Sequence, residues 1–90
     1  MNYKSLGIFS NETEKDMTLF LEMLCEEVIL SPGHKVELFA EDQEKYFPMH
    51  ISYHSDSLQI YPQDGTPRWL IKFNEKEIVP SYPTILKDYE

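Results

Sequence analysis

The stretch "MTLFLEMLCEEVILSP", from Met17 to Pro32, carries two apolar faces where a surface helix of a small domain needs only one. We predict a helix from about residue 11 to residue 30. Asn11 followed by Glu14 is typical of a helix start, because the two side chains can satisfy the first backbone amides. Pro32 cannot continue a helix, and the glycine after it favours a turn.

The second apolar face of this predicted helix is the candidate binding surface. At about 100° per residue, one stripe faces the core and consists of Met17, Phe20, Leu21, Leu24, Cys25 and Val28. Leu19, Met23 and Leu30 fall on the opposite side, next to Glu22 and Glu26. Apolar residues rimmed by carboxylates resemble the centre and rim of a protein interface. The candidate interface is Leu19, Glu22, Met23, Glu26 and Leu30.

Beyond the turn at Pro32 the apolar periodicity changes from helical to two, which predicts strands. The predicted strands are "NYKSLGIF" (2–9), "KVELFA" (35–40), "MHISYH" (49–54), "SLQIYP" (57–62), "RWLIKF" (68–73) and a short one at 77–79. Short polar connectors such as "HSDS" (54–57) favour an antiparallel meander. The segment "EDQEKYF" (41–47) fits either a helical turn or a loop.

These elements predict an α+β fold with two layers and the order β-α-β-β-β-β. One long helix, about residues 11–30, packs on a mainly antiparallel sheet of four to five strands. The 90 residues form a single domain, 1–90. Residues 80–90 are a proline-broken C-terminal tail whose Ile85, Leu86 and Tyr89 need cover. This tail, a second copy or a foreign partner could cover the second helix face, or that face has no role.

The net charge of −8 is unevenly distributed along the chain. Residues 12–44 hold most of the acidic side chains and only Lys15 and Lys35 as bases. Such an acidic region repels phosphate backbones, so direct nucleic-acid binding is disfavoured and a basic protein or peptide is easier to accommodate. The plain alternative is that the acids only keep a small protein soluble.

The chain carries no sign of a membrane protein or of an oxidising compartment. Cys25 is the single cysteine, so an internal disulfide is excluded. No apolar run approaches the roughly 18 residues of a membrane span, and the first residues lack a leader pattern. We therefore expect a cytoplasmic protein without a membrane partner.

No catalytic, metal or cofactor residues are predicted. His50 and His54 have a motif-like spacing, but on a strand they lie about 13 Å apart at about 3.3 Å per residue. Cys25 falls in the apolar sector beside Glu22 and Glu26, whose charges raise the pKa of a thiol and favour a structural role. Phosphate-binding glycine motifs and nucleophile elbows are absent from the sequence.

The sequence is interpreted as a small acidic non-catalytic interaction protein of the bacterial accessory type: a regulator, an immunity-like protein or an inhibitor. It would act through the acidic helix, with a protein partner or by self-association as a homodimer. One alternative is a ligand-binding or enzymatic module with a pocket between helix and sheet, using His34, His50, Tyr53 or His54. Another is an acidic mimic of nucleic acid that uses the carboxylates of residues 12–44.

Overall fold

The computed structural model describes residues 2–90, and these fold into nine strands in two sheets. The strands are Tyr3–Ser10 (β1), Met17–Leu21 (β2), Glu26–Leu30 (β3), Lys35–Glu41 (β4), His50–Tyr53 (β5), Ser57–Tyr61 (β6), Trp69–Phe73 (β7), Lys76–Ile78 (β8) and Thr84–Ile85 (β9). The only helical segments among the described residues are two 3₁₀ turns, Glu44–Tyr46 and Leu86–Tyr89. The first of these turns lies within residues 41–47, so this segment forms a helical turn and not only a loop.

The predicted long helix at about residues 11–30 is absent, so the α+β prediction is wrong and the fold is mainly β. These residues form a loop, β2, a turn and β3, and the two strands pair as an antiparallel hairpin. On β2, Leu19 and Leu21 face the core while Phe20 faces outward. A nearly continuous apolar run fits two helix faces or two strand faces equally well, and β-branched residues such as Val28 favour the strand.

Asn11 explains why the sequence resembles a helix start. Its Oδ1 accepts a hydrogen bond from the Thr13 backbone N–H at 3.0 Å, as an N-cap would, but the chain continues as a loop. The Asn11 amide donates to the carbonyl oxygens of Lys15 and Leu30 at 2.7 and 2.8 Å. This buried side chain therefore fastens the loop before β2 to the end of β3.

The strand order also departs from the predicted meander. One sheet has the order β1-β4-β7-β8 with every pair antiparallel. The other has the order β5-β6-β2-β3-β9, in which β2 and β6 are parallel and so are β3 and β9. Consecutive strands pair only in the hairpins β2–β3, β5–β6 and β7–β8, because the chain crosses between the two sheets elsewhere.

The core lies between the two sheets, which replace the predicted helix and sheet as the two layers. The alternation predicted for two strands is confirmed, with Val36, Leu38 and Ala40 on β4 and Trp69, Ile71 and Phe73 on β7 all buried. They meet inward residues of the five-stranded sheet: Leu19, Leu21, Val28, Leu30 and Ile60. No helix in residues 2–90 has the length and apolar character needed to span a membrane.

The C-terminal segment is part of the fold. β9 extends the five-stranded sheet beside β3, and Leu86 is fully buried in the core. The Nδ1 atom of His34 accepts a hydrogen bond from the Ser31 backbone N–H at 3.0 Å, which places the proton on Nε2. That N–H donates to the carboxylate of Glu90. Residues 80–90 thus fill the edge beside β3.

Candidate protein-interaction surface

The turn between β2 and β3, residues 22–25, lies at one end of the sandwich and exposes two neighbouring apolar side chains. Met23 is 60% exposed and Leu24 is 55% exposed. Cys25 closes the turn with φ of 56°, in the left-handed region that non-glycine residues seldom adopt. We call residues 22–26 the hairpin tip, since Glu26 begins β3 directly after the turn.

The five candidate interface residues divide between this tip and the core. Leu19 and Leu30 are each 2% exposed and belong to the core, so neither presents a surface to a partner. Met23 lies in solvent at the tip, with Glu22 buried and Glu26 half-buried beside it. Of the three apolar residues of the predicted interface, only Met23 is exposed, and it lies on a hairpin in place of the predicted helix.

Cys25 is exposed at the tip, whereas the helical pattern placed it in the core. Its thiol donates a hydrogen bond to the Glu22 carboxylate, with Sγ and Oε1 3.1 Å apart. That hydrogen bond and the Glu22 charge raise the pKa of the thiol, and the charge of Glu27 adds to the effect. The thiol is held protonated, which makes it a poor nucleophile.

Two hollows flank the hairpin tip. The first, which we call the tip cavity, has a volume of about 280 Å³ and is lined by Tyr3, Leu24, Glu26, Thr66, Pro67, Arg68, Trp69 and Val79. The second has a volume of about 420 Å³ and lies between Met23 and the loop of residues 62–66 that follows β6. Sequence reasoning missed this loop and Trp69, because their position beside the tip depends on the sheet order.

Two side chains that line the tip cavity carry a polar group without a hydrogen-bond partner among residues 2–90. The Glu26 side chain is half-buried, and burial raises the pKa of its carboxyl group. Trp69 is 3% exposed, and its Nε1 is the one buried side-chain nitrogen or oxygen in residues 2–90 that lacks a hydrogen bond. Native proteins leave few buried nitrogen atoms unpaired, and the Nε1 atom of this lining residue is closed to solvent.

Within the described residues, the lysines and arginines do not pair with the acidic side chains. Across residues 2–90, the only basic side chain within 4 Å of a carboxylate is the imidazole of His34, which donates to Glu90. The sequence has 16 acidic and 8 basic residues, yet no described lysine or arginine lies that close to a carboxylate. The negative field therefore extends into solvent and attracts basic molecules.

The outer face of the five-stranded sheet is a second distinct surface because it carries almost no charge. Side chains alternate along each strand, so the register assigns its outward positions. Glu27 is the one carboxylate, lysine or arginine among them; the others are Thr18, Phe20, Ile29, His50, Ser52, Ser57, Gln59, Tyr61 and Ile85. We call this surface the neutral face. The outer face of the other sheet carries Lys35, Glu37, Glu41, Lys72 and Glu77.

A larger groove of about 630 Å³ runs between the edge strands β1 and β5. Its floor is formed by Leu6, Phe47 and Met49, which pack against the margin of the core. Its polar residues, such as Lys4 and Asp42, are all exposed. Ligand sites combine an apolar wall with a few fixed polar groups, and this groove has no buried polar side chain to orient a ligand.

The residues of the predicted helix–sheet pocket do not come together, and without the helix that pocket does not exist. His50 lies 5.8 Å from the Tyr61 ring on the neutral face, and the His54 Nε2 atom is 3.0 Å from Gln59 Oε1. Neither they nor Tyr53 nor His34 lines the three hollows described above. Within residues 2–90, no three His, Cys, Asp or Glu side chains are grouped to hold a metal ion.

Comparisons with known proteins give no family for this chain. No protein-family model matches it, and no curated protein or solved structure matches it at a significant level of similarity. Its function is therefore inferred from its own residues, distances and charges.

Proposed function

We propose that this chain is a small acidic non-catalytic interaction protein, such as a bacterial regulator, immunity-like protein or inhibitor. It binds a basic surface of another protein through the hairpin tip. Met23 and Leu24 form the apolar centre of that contact, and the carboxylates around them select a basic partner. The acidic region noted in the sequence supports the same electrostatic preference.

The observation that carries this proposal is the exposure of two adjacent large apolar side chains at the tip. A turn between two strands normally consists of polar residues or glycine, which solvent tolerates better. Met23 and Leu24 are each more than half exposed, and each lines one of the two hollows beside the turn. Such a projection between two hollows has the shape of an interface centre, where few residues contribute most of the affinity.

The test compares three baits in a lysate of the source organism: the wild type, Met23→Asp and Ile8→Asp. Ile8 is 67% exposed on the outer face of the four-stranded sheet, so its variant adds the same charge away from the tip. We expect a protein of high isoelectric point to be retained by the wild type and by Ile8→Asp. Met23→Asp should weaken that purified complex by at least about tenfold, equal to about 1.4 kcal/mol.

Equal recovery of the same proteins by all three baits would show that the tip is not the contact. The alternative function, a mimic of nucleic acid whose carboxylates alone bind the partner, predicts a different response to salt and to the Met23 variant. Its complex would weaken steeply with salt and would be insensitive to Met23→Asp. Salt titration of the purified complex with each variant therefore separates the two functions.

The neutral face supports self-association as a homodimer. Two copies with a net charge of −8 repel each other, and the repulsion is weakest where each presents a surface with a single carboxylate. Interface centres are poor in charge and rich in aromatic residues, and this face carries Phe20, Tyr61 and His50. A second copy can therefore dock face to face with one carboxylate, Glu27, contributed by each copy.

Sedimentation equilibrium tests this dimer with Ile29→Lys and Ile8→Lys. Both isoleucines point outward from strands, one on the neutral face and the other on the charged sheet. The wild type and Ile8→Lys should sediment as dimers, whereas Ile29→Lys should be monomeric because it buries a lysine in the contact. A wild-type monomer at high concentration would contradict self-association and leave the tip proposal untouched.

A further inference from the structure

We infer that the tip cavity is the binding site for one cationic side chain, a lysine or an arginine of the basic partner. This inference rests on the proposed function, because it assigns the part of the partner that enters beside the hairpin tip. The cavity volume of about 280 Å³ lies just under the roughly 300–1,000 Å³ of sites for drug-sized ligands, so it suits a single long side chain.

The Glu26 carboxylate supplies the recognition of positive charge. Its oxygens accept no hydrogen bond from another described residue, and no lysine or arginine of residues 2–90 lies within 4 Å of it. A half-buried carboxylate without a partner loses hydration and gains nothing in return. An incoming ammonium or guanidinium group replaces the lost hydration of this carboxylate with a charge-assisted hydrogen bond.

The walls of the cavity suit the rest of such a side chain. Leu24, Pro67 and Val79 provide apolar surface for the methylene groups of a lysine or arginine. Tyr3 and Trp69 add aromatic rings, which attract cations through their faces.

Arg68 is the one base among the lining residues, and it does not occupy the cation site. Its backbone is fixed, since its N–H donates to Glu41 Oε1 at 3.2 Å and its carbonyl accepts from the Glu41 N–H at 2.9 Å. Its side chain is exposed and forms no ion pair within the described part of the chain. The guanidinium group can therefore stay in solvent while Glu26 binds the incoming cation.

The probes are N-acetyl-lysine amide and N-acetyl-arginine amide, with N-acetyl-norleucine amide as the neutral comparison. Trp69 is the single tryptophan, so its indole N–H gives one assigned signal in a ¹⁵N–¹H spectrum of the full chain. At low salt we expect both cationic probes to shift this signal saturably. Norleucine should bind at least about tenfold more weakly, because it fills the cavity without a charge.

Glu26→Gln and Glu27→Gln form the matched pair of variants. They remove the same charge from adjacent residues, but Glu26 lines the cavity while Glu27 faces outward on β3. Glu26→Gln should weaken the cationic probes by about tenfold or more, and Glu27→Gln by less than about twofold. Equal losses in the two variants, equal binding of norleucine, or no saturable shift with either cation would overturn the inference.

The two proposals fail in different ways. If the probes do not bind but Met23→Asp still abolishes the partner complex, the tip is the contact and the cavity has no cation site. If the probes bind with the expected dependence on Glu26 but Met23→Asp leaves every complex unchanged, the cavity is a cation site and the proposed function is wrong.

Discussion

At the scale of single residues, Cys25 is exposed yet chemically protected. Its thiol donates to Glu22, and the hydrogen bond together with the charge of that carboxylate raises the pKa of the thiol. Since only the thiolate reacts with alkylating reagents, we expect slow modification by iodoacetamide at neutral pH. Glu22→Gln removes the charge and should accelerate the reaction, as followed by mass spectrometry. Glu14→Gln, an exposed acid in the loop before β2, is the control and should leave the rate unchanged.

Glu26 gives a prediction about pH. Burial raises the pKa of its carboxyl group, so the folded state binds the proton more readily than the unfolded chain. The ionised form is therefore the destabilising one: its penalty is full above the raised pKa and disappears below the ordinary pKa of about 4.3. Glu26→Gln should raise the free energy of unfolding at pH 7, and the gain should shrink toward about pH 4. Urea denaturation at both pH values measures this change.

The control for this pH effect is Glu27→Gln, which removes an identical charge from the opposite side of β3. The difference between the two variants isolates the contribution of burial in the tip cavity from the general relief of repulsion. A gain of Glu26→Gln that stays constant between pH 7 and about pH 4 would contradict the assignment of a desolvated carboxylate at this site.

At the scale of elements, two leucines of the β2–β3 hairpin distinguish this fold from the helix predicted for the same residues. Leu19 is buried and Leu24 is exposed, whereas the helical stripe places Leu24 in the core and Leu19 outside. Leu19→Ala should lower the free energy of unfolding by about 2–5 kcal/mol through lost burial and a cavity. Leu24→Ala should change it by less than about 0.5 kcal/mol.

Urea denaturation followed by Trp69 fluorescence measures both leucine variants. If the Leu19→Ala chain is already unfolded without urea, its loss of stability exceeds the expected range and still supports the burial of Leu19. The reverse ranking, with Leu24→Ala as the damaging change, would favour the helix and contradict the hairpin.

The same elements explain which parts of the fold the sequence predicts. β4 and β7 were predictable because a charged residue stands between inward apolar residues: Glu37 between Val36 and Leu38, and Lys72 between Ile71 and Phe73. The hairpin was not, because no charged residue interrupts 17–21 or 28–30, so with Phe20 and Ile29 on the outward side these runs also fit a helix. Met23 and Glu26 were predicted as interface residues, but Trp69 was not, since it reaches the tip cavity only through the packing of the two sheets.

At the scale of the whole molecule, charge is divided between surfaces in a way that supports two contacts at once. The neutral face carries one carboxylate, whereas the tip lies among several, including Glu22 and Glu26. A homodimer built on the neutral face would use outward residues of the five-stranded sheet and not Met23 or Leu24 of the tip. Such a dimer would present two cation sites to a basic partner, and two linked contacts increase the apparent affinity beyond that of one.

The uncompensated charge also predicts how the stability of the whole chain responds to salt. The net charge is −8 and the longest dimension is 35 Å, close to the Debye length of about 30 Å at 0.01 M salt. Repulsion therefore acts across the entire molecule at low salt, while at 0.15 M the screening length of about 8 Å confines it to neighbouring carboxylates. The urea midpoint should rise between these two NaCl concentrations.

The control is a repeat near pH 4.7, the isoelectric point, where the rise should shrink. A midpoint that falls with added salt would mean that attractive ion pairs stabilise the fold, contrary to the near absence of such pairs in the described residues.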